Sequence, residues 1–209
     1  MTKMYKILML VLPLTYCAST YAWVNSGGYV GAELGVANQI TSFNSGTFGV
    51  NSGDANLDAS RSGFLARANL GYQFNSYSAL ELGNQYAWGG NYQYPGNSQN
   101  GSAQIGSNTV DFSYLLSLPI TQSNFSVFAR FGLAYQWVNS TGYNASGMDG
   151  GAFTDVIGSG IKYRIGKYMS IRAEWIADGL WQPVGLSANN QQAGNLSSQN
   201  FLIGINYYY

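Results

Sequence analysis

The chain has 209 residues, enough for one domain, and its nine basic residues balance nine acidic ones. Only 9% of the residues are charged, against about 25% in ordinary soluble proteins. The neutral balance gives no electrostatic footprint for nucleic acid, and the absence of histidine removes the commonest general base near neutral pH and the commonest metal ligand.

Residues 1–22 read as a secretory signal peptide. Lys3 and Lys6 precede an apolar core at 7–14, and Thr20-Tyr21-Ala22 places small residues at the cleavage positions, so the mature chain is expected to start at Trp23. The apolar core is too short to span a bilayer as a helix. The single cysteine, Cys17, lies inside this segment, and bulky Tyr16 before it argues against lipidation. The mature chain, 23–209, is then expected to carry neither disulfide nor thiolate.

Eight segments of period-two alternation follow, at 28–36, 63–74, 78–88, 109–118, 125–138, 156–165, 169–178 and 200–209. The first sets Val30, Ala32, Leu34 and Val36 against Tyr29, Gly31, Glu33 and Gly35. The second sets Phe64, Leu70, Tyr72 and Phe74 against Arg67, Asn69 and Gln73. The fifth is the clearest, with Val127, Ala129, Phe131, Leu133, Tyr135 and Trp137 on one face and Arg130, Gly132, Ala134 and Gln136 on the other. The last alternates Phe201, Ile203, Ile205, Tyr207 and Tyr209 with Leu202, Gly204, Asn206 and Tyr208. These lengths suit the roughly 9–11 residues that carry a tilted strand across a bilayer.

Connectors alternate in length. Those at 75–77, 120–124 and 166–168 are short; those at 37–62, 89–108, 139–155 and 179–199 are long and rich in Asn, Ser, Gly and Gln. Short turns on one side and long loops on the other are the habit of an outer-membrane barrel, and an even strand count leaves both termini on the short-turn, periplasmic side.

Nine charged residues fall within the cores of the segments: Glu33, Arg67, Glu81, Asp111, Arg130, Lys162, Arg164, Arg172 and Glu174. Every one lies opposite the apolar face. A soluble barrel or secreted sandwich would also segregate charge. Three features favour the membrane: few charges, many glycines beside them, and aromatics near segment ends (Trp23, Tyr72, Trp88, Trp137, Tyr207) where interfacial girdles form. The fold class expected is therefore all-β, an eight-stranded antiparallel transmembrane up-and-down β-barrel. Eight strands enclose a lumen that side chains can fill. Five basic and four acidic inward residues are accordingly expected to form an ion-paired plug; the alternative is a pore lining.

Several motifs carry a family resemblance. They are G-Y-V-G-A-E-L-G at 28–35, N-L-G-Y-Q-F at 69–74, A-L-E-L-G at 79–83, G-S-G-I-K-Y at 158–163 and the final strand. In this order they resemble the outer membrane protein A-like and opacity-type eight-stranded barrels. The closing strand also resembles the family's assembly signal, carried by Gly204, Tyr207 and Tyr209, although Ile203 stands where that pattern prefers a polar residue. The resemblance implies a monomer in the bacterial outer membrane, contacting lipid and, through its last strand, the barrel-assembly machinery.

No catalytic, cofactor-binding or metal-binding constellation emerges. Gly158-Ser159-Gly160 lacks the third glycine of a nucleotide fingerprint and sits in a strand. A Ser-His-acid triad is impossible without histidine. Asp54 with Asp58, or Asp149 with Asp155, read as solvated loop charges. The function expected is structural and surface-interacting, with the long loops offered to host or cell-surface ligands. A narrow solute channel is the alternative, and a histidine-free enzyme ranks last.

Overall fold

A computed structural model describes residues 26–43, 57–89, 91–93, 102–120, 123–142, 150–188 and 191–209. The signal segment and Trp23 lie outside them. Ten strands appear: β1 Gly27–Phe43, β2 Leu57–Asn75, β3 Ser78–Ala87, β4 Asn91–Gln93, β5 Ser102–Pro119, β6 Phe125–Gly142, β7 Gly150–Ile165, β8 Met169–Asp178, β9 Val184–Ala188 and β10 Gln191–Tyr208. Eight of them make a ring in the order β1-β2-β3-β5-β6-β7-β8-β10, and β10 pairs back onto β1 to close it. Every pairing is antiparallel. Closure leaves no unpaired edge in the ring, the condition for a sheet inside hydrocarbon.

The eight expected segments are the eight ring strands, and 169–178 matches β8 at both ends. Six ring strands run further than the alternation suggested. β1, β2, β5, β6, β7 and β10 have 16 to 19 residues, beyond the roughly 9–11 that cross a bilayer. The extra length lies in stretches such as 57–62 and 191–199, whose polar composition reads as loop. These hairpins continue as sheet beyond the apolar band; on β10 the outward Asn195, Ser197 and Gln199 are polar there while Leu196 and Ser198 stay buried inside, so the two faces no longer differ in polarity and alternation fades. β4 and β9 belong to the same extension, pairing with β5 and β10 beyond the ends of β3 and β8.

Side chains are sorted inside out. Leu34, Phe64, Leu82, Phe112, Phe131, Leu133, Ile161, Phe201 and Ile203 stand exposed on the outer surface, while the inner surface buries Glu33, Arg67, Glu81, Arg130 and Arg172. A continuous apolar exterior around a charged interior belongs in lipid.

Aromatic contacts mark two levels. Phe64, Tyr86 and Trp88 cluster with one another at the long-connector end, as do Tyr135, Trp137 and Phe153. Tyr72 with Phe74, Phe125 with Tyr163, and Tyr168 with Tyr207 lie at the other end. On β2 the two levels, Phe64 and Phe74, are ten residues apart. At about 3.4 Å per residue and a tilt of about 40° that is about 26 Å of height, close to the apolar band of about 25 Å.

The short turns are tied locally. Asn75 Oδ1 accepts from the backbone N–H groups of Tyr77 and Ser78 at 2.8 and 2.9 Å, an Asx turn that fixes the β2–β3 hairpin. At the same end Tyr209 N donates to Gly28 O, so the chain closes beside its first described strand.

Candidate functional site: the charged lumen

Alternation points one side chain in two into the lumen, and the register stacks those from eight strands into layers. Nearest the termini, Tyr29, Ala79, Leu115, Phe128 and Tyr208 form an aromatic and aliphatic layer. These rings lie inside, so the aromatics do not all face outward. The charges come next. Towards the long connectors follow Ala37, Leu65, Ala87, Ala134, Val156, Ile176 and Leu202, interleaved with polar side chains.

Glu81 on β3 is the hub of the charged layer. Its Oε1 accepts from Arg67 Nη2 at 3.1 Å and Arg130 Nη2 at 2.6 Å; its Oε2 accepts from Arg172 Nη1 at 2.7 Å and the Tyr29 hydroxyl at 2.8 Å. Arg67 grips Asp111 with both terminal nitrogens, at 2.6 and 3.1 Å, the forked geometry that makes arginine pairs strong. Arg130 reaches Glu174 at 3.1 Å. Arg172 meets Glu33, which also accepts from Asn69 at 2.6 Å. All seven charged side chains are at most 2% exposed.

Two glycines make the room. A Cβ at Gly83 would strike the Arg67 guanidinium and Asp111, and one at Gly204 would strike Glu33 and the Ala32 carbonyl. These two glycines are thus gaps that charged side chains occupy, the Arg67 guanidinium at Gly83 and Glu33 at Gly204.

Buried ions are costly unless each has partners. Here three arginines face four carboxylates, one negative charge in excess. Seven of the nine inward charges read from the sequence meet in this cluster: Glu33, Arg67, Glu81, Asp111, Arg130, Arg172 and Glu174.

Lys162 and Arg164 do not join the cluster, which corrects the expectation that all nine compensate one another. Among the described residues neither has a carboxylate within 4 Å, while the Arg164 guanidinium sits 5.0 Å from the centre of the Tyr208 ring. The register explains it. Lys162 stands beside Arg172 and Arg164 beside Ser170, while Gly160 is the β7 residue that faces Glu174. Lys162 lines a cavity of about 10 Å³ with Tyr29, Arg172 and Tyr208, room for a single water molecule.

Sequence reading missed Asp178, buried at the end of β8 and bonded to Gln85, Ser198 and Asn200. Its signal was present: 172, 174, 176 and 178 share one face. The structure also gives the closing-strand residues their places. Gly204 faces Glu33 within the lumen, whereas Tyr207 and Tyr209 point outward.

Comparisons with known proteins agree with this architecture. The family model of the OmpA-like transmembrane domain matches residues 25–193. No protein of curated function matches the chain. Among solved structures it is similar to Neisserial surface protein A (NspA), at 16% identity and TM-score 0.61, covering 88% of this chain and 98% of that one. It is also similar to outer membrane protein OprG from Pseudomonas aeruginosa, at 13% identity and TM-score 0.52, covering 88% and 96%. A major outer membrane protein from Thermus thermophilus matches at 11% identity and TM-score 0.50, covering 85% and 99%. At these identities the likeness is one of fold.

Proposed function

Because the chain belongs to the OmpA-like transmembrane domain family, we propose that this small outer-membrane β-barrel works at its surface rather than through its lumen. In this reading the barrel is a rigid, non-catalytic stalk, inserted as a monomer with both termini in the periplasm. The long connectors are offered to host or cell-surface ligands. The Glu81-centred network supports it: three arginines and four carboxylates cross the lumen and leave little space beside them. Beyond the apolar band the hairpins continue as sheet, which gives the connectors a raised platform.

The test is to shorten the connectors one at a time in cells displaying the protein, then measure binding to host cells or immobilised surface glycans. Variants that reach the membrane at unchanged level but bind severalfold less support the reading. Binding that survives removal of all four connectors contradicts it.

A further inference from the structure

The charge pairing in the lumen leaves out one buried carboxylate. Asp178 is 1% exposed and faces inward at the long-connector end of β8. Its Oδ2 accepts three hydrogen bonds, from Gln85 Nε2 at 2.5 Å, Asn200 Nδ2 at 3.0 Å and Ser198 Oγ at 3.1 Å. All three donors are neutral. Among the described residues no basic group lies within 4 Å, because the arginines are committed to Glu33, Glu81, Asp111 and Glu174. A buried carboxylate in that position calls for a positive charge.

Around Asp178 the lumen holds oxygens without partners. Gln85 and Asn200 spend their amide nitrogens on the carboxylate and leave Oε1 and Oδ1 unbonded. Amide geometry keeps those oxygens within about 5 Å of it. Thr109 Oγ1 and both amide atoms of Gln136 are unbonded as well, and the register sets Gln85, Thr109 and Gln136 side by side on β3, β5 and β6. On the other flank Gln39 lies beside Ser198, which lies beside Asp178. Gln39 gives its nitrogen to Ser107 across the lumen and keeps Oε1 free.

One carboxylate among several neutral oxygens, all withdrawn from water, is a hard-cation environment. Amide and hydroxyl oxygens there can replace a hydration shell. A divalent ion would ordinarily recruit more carboxylates, and among the described residues no second carboxylate joins Asp178 in a group of three or more acidic, His or Cys side chains placed to hold a metal ion. We propose that Asp178, with the free oxygens of Gln85, Asn200, Thr109 and Gln136, binds one dehydrated monovalent cation of sodium or potassium size. The ion supplies the charge that the arginine cluster leaves uncompensated at this end. The site does not depend on what the connectors bind.

Thallium(I), a potassium-sized anomalous scatterer, is the direct probe. Crystals of the full mature barrel soaked in thallium nitrate should show an anomalous peak beside Asp178, and Asp178→Asn crystals should lack it. In solution, heat unfolding in detergent should be about fivefold slower in potassium or sodium chloride than in N-methyl-D-glucamine chloride at equal ionic strength. Gln136→Leu, which removes a neutral ligand and keeps the carboxylate, should shrink that difference. Should Asp178→Asn fail to insert, the wild-type cation comparison and Gln136→Leu still decide. No thallium peak, with equal unfolding rates in all three salts, would overturn the proposal and leave Asp178 as a neutral acid.

Discussion

Arg130 Nη2 lies 2.6 Å from Glu81 Oε1, although β6 and β3 share no edge in the ring. The contact crosses the lumen, and through Glu81 it joins Arg67 and Arg172 as well. Replacing Glu81 with Gln keeps the shape and removes the charge. Three guanidinium groups would then lose their shared partner in a dry interior, at a cost of about 3–5 kcal/mol. Urea titration of the barrel in lipid vesicles should show the loss as a lower unfolding midpoint. An unchanged midpoint would mean that Glu81 is not the hub.

The outward face has its own test. Phe131 is 52% exposed on the outer face of β6, midway between Phe125 and Trp137 of the two aromatic levels. Phe131→Arg should cost about 2–4 kcal/mol in the same titration, as a charge near the bilayer midplane does. Phe153→Arg, at the aromatic level near the connectors, should cost about 1 kcal/mol or less because the charge reaches the interface. Equal effects at both positions would contradict the assigned depth.

The ring strands were legible because inner and outer surfaces differ in chemistry, and period two reports that difference directly. The same logic located Glu33, Arg67, Glu81, Asp111, Arg130, Arg172 and Glu174. It could not say which charges meet, since pairing across the lumen depends on shear between strands such as β3 and β6. Lys162 and Arg164 show the gap: correct face, wrong height for the cluster. The strand end of β10 was illegible for the opposite reason, because above the apolar band the outward Asn195, Ser197 and Gln199 are as polar as the inward Ser198 and Asn200. Asp178 shared the Arg172–Glu174 face and needed only one more step of two.

Between β8 and β9 the chain makes a five-residue excursion at 179–183, and Asp155 holds it to β7. Its Oδ1 accepts from the backbone N–H groups of Trp181 at 3.0 Å and Gln182 at 2.8 Å. Thr154 Oγ1 donates to Gln182 O at 2.8 Å. Asp155→Ala frees both amides, and hydrogen exchange at Trp181 and Gln182 should accelerate roughly tenfold or more, as expected for loss of about 1.5 kcal/mol or more of charge-assisted bonding. Unchanged protection would show that the excursion is held by other contacts.

Assembly is expected to depend on the last residue. Tyr209 presents its ring outward, and its backbone N–H bonds Gly28. Tyr209→Ser removes the terminal aromatic and a lipid-facing ring while leaving the backbone bond. Outer-membrane levels should fall severalfold, with the chain degraded before insertion. Levels equal to wild type would show that Tyr209 is not part of an assembly signal.

The central claim is that the charge network closes the lumen, and planar-bilayer conductance of the purified barrel tests it most directly. The wild-type protein should show little steady current, with rare small openings when an ion pair exchanges partners. Arg130→Ala removes the shortest bond to Glu81 Oε1, leaves Glu174 only its 3.6 Å contact with Arg172 and vacates lumen volume, so its current should rise while its stability falls by about 3–5 kcal/mol. A large, stable wild-type conductance that Arg130→Ala leaves unchanged would contradict the account and make the inward charges the lining of a pore.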